Sequence, residues 1–296
     1  MINSLGITTP ECWENMLQGK SGITRITRFD VSKCATKIGG ELPQKYYDME
    51  GVEFPKRLFN QTLSTTRLGF ICAKQALADS GFTLDGVDPY RVAVISGSGQ
   101  SDFQEGQDYL AGGDPGKYII IKQMANAISA WISIKNNFRG PSYNIATACA
   151  SGAFAVAAAF DYVRYGKGDA AVALGVDMML TTESIYGFNQ LVAISERNDS
   201  PETACCPFDA RRSGFVLANG GCALVMENLE HAKKRNARIY AVVSGAGICS
   251  ESYNIVAPDP SGEGMAKCMA LALADGGVTK EKIGYISAHG TSTRHN

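Results

Sequence analysis

Histidine is scarce in this 296-residue chain: His231, His289 and His295 are the only three. Nine cysteines are present, but they are irregularly spaced, no Cys-x-x-Cys occurs, and Cys205-Cys206 is the one close pair. That pattern argues against a structural zinc site or a disulfide framework, and its natural setting is reducing and cytoplasmic. No stretch reaches the roughly eighteen apolar residues that a bilayer span needs. Met1-Ile-Asn-Ser-Leu-Gly6 also lacks the basic-then-apolar order of a signal peptide, so no membrane association is expected. Net charge is short of either sign, at -1, and nothing global draws the chain to nucleic acid. With 45% hydrophobic and 19% charged residues, the composition is that of a globular protein of one large or two medium domains. Thirty-two glycines point to tight turns and close backbone approaches.

The most informative stretch runs from Ser142 to Phe160. It begins as a short strand pattern, passes through Cys149, and continues as an unbroken small and apolar helix pattern. Cys149 is therefore expected at a strand-to-helix turn, in the first turn of a buried helix. Unpaired backbone N–H groups and the helix dipole favour an anion there, so a thiolate would be stabilised. The competing reading is a thiol that only fills space, which is the commoner fate of a free cysteine. Ala150 to Ala153, Ala155 and Ala157 to Ala159 are almost all small, so this helix can approach its neighbours closely.

The remaining segments follow a layered α/β order. Helices are expected after Thr9, over 62–79, 119–136, 182–192 and 262–275, and briefly from Leu229. Strands are expected over 91–96, 170–175, 222–227, 238–245 and 283–288. Residues 22–53 and 195–213 read as irregular, and 102–117 as a charged, glycine-interrupted segment. The strand–helix–strand theme restarts at about Ala237, which divides the chain into 1–236 and 237–296. Gly97-Ser-Gly99 lacks a Walker lysine and the full dinucleotide pattern, so it is no nucleotide site. Lys233, Lys234, Arg235 and Arg238 are poor evidence for nucleic acid.

His289 follows an apolar strand pattern and enters a glycine turn, a position where α/β proteins commonly bind ligands. A Cys and a His at the ends of two equivalent strands form a chemically sensible pair. The thiolate can attack an activated acyl group, and the imidazole can exchange a proton or hydrogen-bond to a developing enolate.

Three stretches together carry a resemblance: Thr147-Ala-Cys149-Ala-Ser-Gly152, Pro207-Phe-Asp-Ala-Arg-Arg-Ser-Gly-Phe-Val216 and His289-Gly-Thr-Ser-Thr293. They resemble the signatures of the β-ketoacyl-acyl carrier protein synthases, the condensing enzymes of type II fatty acid and polyketide synthesis. Trp13 to Ile23, Thr27 to Asp30, Arg139-Gly-Pro141 and Ala257-Pro-Asp-Pro260 match in the same order along the chain.

The resemblance implies a thiolase-like α/β fold of two duplicated layered halves, the second incomplete here. It implies Cys149 as the acyl-accepting nucleophile, with its backbone N–H as half of the oxyanion hole, and His289 as the group that favours decarboxylation of malonyl-acyl carrier protein. Thr291, Thr293 and Phe215 take supporting places in the site. No cofactor is implied beyond the phosphopantetheine arm of acyl carrier protein. That carrier is the implied partner, with a homodimer or a heterodimer with a related synthase chain. Lys56, Arg57 and Arg67 are candidates for a basic landing patch. The family pattern includes a first strand that is clipped here. It also runs on into a lysine, a second histidine and a glycine-rich loop not found among these residues, so a chain truncated at both ends is expected. Asn219 and Gly175-Val-Asp177 depart from the family pattern, the former by loss of a carboxylate. The alternative function is a non-catalytic structural partner that needs another chain to complete its site.

Overall fold

The computed structural model describes residues 1–99 and 116–295. Most of the charged segment expected over 102–117 lies outside the described residues. Six strands are present among them: β1 (Thr24–Arg25), β2 (Ile38–Gly39), β3 (Val92–Gly97), β4 (Ser142–Ile145), β5 (Ala170–Asp177) and β6 (Gly220–Glu227). The helices are α1 (Thr9–Leu17), α2 (Gln44–Glu53), α3 (Lys56–Phe59), α4 (Ser64–Ser80), α5 (Ile119–Lys122), α6 (Ala127–Asn136), α7 (Ser151–Arg164), α8 (Thr182–Gln190), α9 (Leu229–Lys234) and α10 (Glu263–Gly276).

A four-stranded sheet in the order β4-β3-β5-β6 organises residues before Asn228. β3 runs parallel to β4 and β5, and β6 closes the sheet antiparallel to β5. α4 and α6 cover one face and α7 the other. The period-two alternation of a strand sorts the side chains between these layers. Val92, Val94, Val172 and Leu174 face Leu68, Ile71, Ile128 and Ile132 in one core. Ala93, Ile95, Ala171 and Ala173 face Ala155, Ala159 and Tyr162 in the other. Alanines on both sides of the second interface let α7 lie close to the sheet. One close point is Gly152 over Gly175, where a Cβ on Gly152 would come within 3.2 Å of the Gly175 Cα. Gly175 therefore serves this crossing.

Several sequence expectations change. Residues 22–53, expected to be irregular, hold β1, β2 and the whole of α2. The helix expected over 119–136 is two helices, α5 and α6, because its apolar residues do not share a face. Ile128 and Ile132 are buried, whereas Ile120, Ile121 and Met124 are exposed. The chain turns between them, with Ala127 N–H donating to the Met124 carbonyl. The strands expected over 238–245 and 283–288 are not formed among the described residues. A strand exists by ladder pairing, and an apolar run does not reveal whether a partner is there. The helix expected with them, α10, is formed, and Gly245 and Gly247 lie directly against its backbone. Finally, Thr8 rather than Thr9 caps α1, its hydroxyl accepting from Glu11 N–H.

Candidate active site

β4 ends at Ile145 and α7 begins at Ser151, so Cys149 sits in the intervening turn, two residues before the helix. The turn has an unusual conformation. Ala148 adopts φ +51°, a left-handed position that costs a residue with a Cβ about 1–2 kcal/mol. Ser151, 2% exposed, holds it in place. Its hydroxyl accepts from Thr147 N–H at 2.9 Å and donates to the Ala148 carbonyl at 2.6 Å. Ala150 and Ser151 N–H groups close back onto the Thr147 and Ala148 carbonyls. Cys149 is left exposed at the apex rather than buried with the helix.

That exposure separates Cys149 from most other thiols of the chain. Cys12, Cys34 and Cys72 are buried. Burial pushes all three thiols up, Cys72 to about 12, and such groups stay protonated and unreactive near neutral pH. Burial likewise raises the Cys205 and Cys268 thiols. Cys222 and Cys249 are also exposed, but neither stands at a strained strand-to-helix turn.

The floor beneath this turn accounts for Gly97-Ser-Gly99. A Cβ on Gly97 would come within 2.1 Å of the Ser151 carbonyl oxygen, and one on Gly99 within 3.2 Å of the Ala148 carbonyl. Ser98 Oγ donates to Asp177 at 2.8 Å, and Gly99 N–H reaches both oxygens of the same carboxylate at 3.1 Å. These glycines make room for the cysteine turn.

His289 is exposed and lies in a second turn, where Gly290 has φ +55° and Ser292 φ +62°. Thr291 and Thr293 hydroxyls are 2.8 Å apart. The turn rests on the loop that contains Pro207 and Phe215. A Cβ on Gly290 would lie 3.5 Å from Pro207 Cβ. Gly214 N–H donates to the Ser292 carbonyl at 2.8 Å. Arg212 donates from Nε to the Thr293 carbonyl and from Nη2 to the Arg294 carbonyl, both at 2.9 Å. Phe215 follows directly, half-buried, its ring edge-on to Phe188 at 5.2 Å. Ser195 N–H donates to the Phe215 carbonyl, and Phe215 N–H to that of Ala193.

The structure thus joins His289, Thr291 and Thr293 to the segment of Phe215. No hydrogen bond links Cys149 to His289 among the described residues. Arg67 does not belong to an exposed basic patch. It is 6% exposed, paired to Glu50 at 2.8 Å, and stacked 3.8 Å above the Phe59 ring. Lys56 and Arg57 are exposed on α3. Asn219 is buried, and its side-chain oxygen accepts from Leu180 N–H at 2.9 Å, so the amide has a partner suited to it. Arg235 is consumed by Glu227 and the Ser80 carbonyl, which explains part of the basic run at α9. Burial pushes Glu227 upward, but the hydrogen bonds and charge of Arg235 and His231 outweigh it and hold this carboxyl below its usual range.

Ala148, Ser151, Arg212 and Ser292 are residues of these turns to which sequence reasoning gave no role. Ser151 and Arg212 stood inside the quoted motifs, two and four positions from Cys149 and Phe208. The left-handed conformations of Ala148 and Ser292 have no sequence signal, since neither is Gly, Asn or Asp.

Residues 1–232 match the family model of the β-ketoacyl synthase N-terminal domain, and residues 240–296 that of the C-terminal domain. A 3-oxoacyl-[acyl-carrier-protein] synthase 2 of Coxiella burnetii is 37% identical over 99% of this chain and 73% of its own length. The protein of the same name from Vibrio cholerae is 36% identical over 99% and 72%. Among solved structures, a β-ketoacyl synthase from Burkholderia phymatum superposes with a TM-score of 0.88 at 28% identity, covering 99% of this chain and 72% of that one. A type II polyketide ketosynthase in complex with its acyl carrier protein gives 0.88 at 26% identity over 100% and 72%. The fold is the thiolase-like ketosynthase fold, and the chain belongs to the β-ketoacyl synthase family.

Proposed function

We propose that this chain is a condensing enzyme that loads an acyl group on Cys149 and extends it with malonyl-acyl carrier protein. The Cys149 thiolate attacks the acyl-carrier thioester, forming a new thioester and releasing the carrier thiol. Malonyl-acyl carrier protein then loses carbon dioxide, and the resulting enolate attacks the acyl carbon. The new carbon–carbon bond gives 3-oxoacyl-acyl carrier protein and returns the cysteine thiolate. His289 hydrogen-bonds to the malonyl thioester oxygen as negative charge builds there, and Cys149 N–H stabilises the oxyanion of each attack. Thr291, Thr293 and Phe215 support the site, and no cofactor takes part.

The observation that carries this reading is the exposed Cys149 on a left-handed turn that Ser151 pins. The Coxiella and Vibrio relatives are named as synthases, which leaves the structural-partner alternative without an observation in its favour. The test is intact-mass measurement after incubation with acyl-acyl carrier protein. A thioester adduct is expected on the wild type and not on Cys149→Ala; a well-folded wild type that stays unmodified refutes the reading.

Acyl carrier protein is the partner in this proposal, and Lys56 and Arg57 are the candidate contacts for its acidic surface. Reversing both charges is expected to weaken carrier binding severalfold, and unchanged binding moves the contact elsewhere. A dimer, a cytoplasmic location and the division at residue 236 complete the proposal. The cysteine usage supports the location, although one related synthase is named as chloroplastic and another as mitochondrial.

A further inference from the structure

We propose that Ser292 is a positioning residue for condensation, fixing the His289 turn through the backbone amide of Cys206; this rests on the role given to His289 above. His289 is exposed, and its imidazole has no hydrogen-bond partner among the described residues. Its place is therefore set by the turn that carries it.

That turn is held to the 206–214 loop by four hydrogen bonds, and Ser292 takes part in two of them. Its hydroxyl accepts from Cys206 N–H at 3.0 Å, and its carbonyl accepts from Gly214 N–H at 2.8 Å. Arg212 supplies the other two, to the carbonyls of Thr293 and Arg294. Ser292 is 0% exposed with φ +62°. A buried left-handed position is most easily filled by glycine, which has no Cβ to strain. A serine there gives up backbone comfort and gains one thing glycine lacks, a hydroxyl, and that hydroxyl is bonded. Strain over-determined by its surroundings in this way clusters at functional sites.

The Cys206 amide belongs to a loop with contacts of its own, its carbonyl accepting from Asp209 N–H at 3.2 Å. Cys206 lies next to Pro207, which packs over Gly290. Arg197 Nη1 stands 3.6 Å from Cys206 Sγ, and Arg197 in turn donates to the Thr203 carbonyl. Displacing the imidazole by about 1 Å is enough to cost up to about a hundredfold in a step that needs it aligned. Acyl transfer to Cys149 does not use His289 in the proposed mechanism and should be spared.

The experiment uses Ser292→Ala and Ser292→Gly, with acyl loading of Cys149 and decarboxylation of malonyl-acyl carrier protein measured separately. Ser292→Gly removes the hydroxyl while relieving the left-handed strain, so it remains informative if Ser292→Ala does not fold. Decarboxylation is expected to fall about tenfold or more in both, with loading within about twofold of wild type. Equal slowing of the two steps, or wild-type decarboxylation in the glycine variant, overturns the proposal. His289→Ala separates the two layers of argument. If it leaves decarboxylation intact, the role of His289 itself is wrong; if it abolishes decarboxylation while the Ser292 variants do not, only the positioning claim falls.

Discussion

The turn that carries Cys149 and the turn that carries His289 are held in different ways. The first grows out of β4, an edge strand of a four-stranded sheet with helices packed on both faces, and rests directly on the ends of β3 and β5. The second follows a segment with no ladder of its own and is tied by hydrogen bonds to a loop before β6. One combines the two Ser151 hydrogen bonds with backbone packing that a single added methyl group would violate. The other is fixed by individual polar contacts, each worth about 1 kcal/mol. Substitutions in the first region should therefore act on stability as well as on acyl loading, and those in the second on local order and on decarboxylation.

The largest effect is expected from Gly97→Ala. Its new methyl group would meet the Ser151 carbonyl at 2.1 Å, backbone against side chain with no flexible atom to give way. Overpacking of this kind costs on the order of 3 kcal/mol, and the first turn of α7 has to shift with it. A urea titration should show a clearly lower midpoint and loss of acyl loading. A wild-type midpoint would mean that β3 and α7 do not approach as described.

Ser151→Ala probes the same turn more gently. It removes the bonds to Thr147 N–H and the Ala148 carbonyl, so a loss of about 1–2 kcal/mol is expected. Ala148 then loses what holds it left-handed, and the rate of acyl adduct formation should fall by more than stability alone explains. Unchanged loading kinetics would show that the turn keeps its shape without the serine.

The contrast also explains what could be read from the sequence. The strand, turn and small-residue helix around Cys149 were legible because local pattern and tertiary packing agree there. The left-handed alanine was not, since its conformation is imposed by Ser151 and the floor beneath. Residues 238–245 and 283–288 carry a strand pattern, but pairing is a property of two segments and not of one. Arg67 looked like a surface charge beside Lys56 and Arg57. Its partner, Glu50, lies 17 positions away on α2, and only the packing of α2 against α4 makes the pair a buried one. His289 was recognisable as a candidate, whereas its dependence on Cys206, Arg212 and Gly214 spans more than seventy positions of chain.

The smallest effect is expected at Asp275, on α10. Its carboxylate accepts from Ala246 N–H at 2.9 Å and pairs with Arg164, the last residue of α7, at 2.7 Å. It thereby joins α10 both to the segment before it and to the helix that starts beside Cys149. The Ala246 N–H bond and then the Arg164 bond hold its pKa below the usual carboxylate range. A depressed folded-state pKa means that the stabilisation is fully present above the unfolded value of about 3.9 and is lost as pH falls through the folded value. Amide exchange across 263–276 should accordingly be insensitive to this group from neutral pH down to about 5, and protection should weaken below 4. Asp275→Asn should weaken protection already at pH 7 and remove that acid dependence, with the exchange of β3 and β5 unchanged. If the variant loosens the central sheet as much as α10, then α10 and the sheet that carries Cys149 form one cooperative unit.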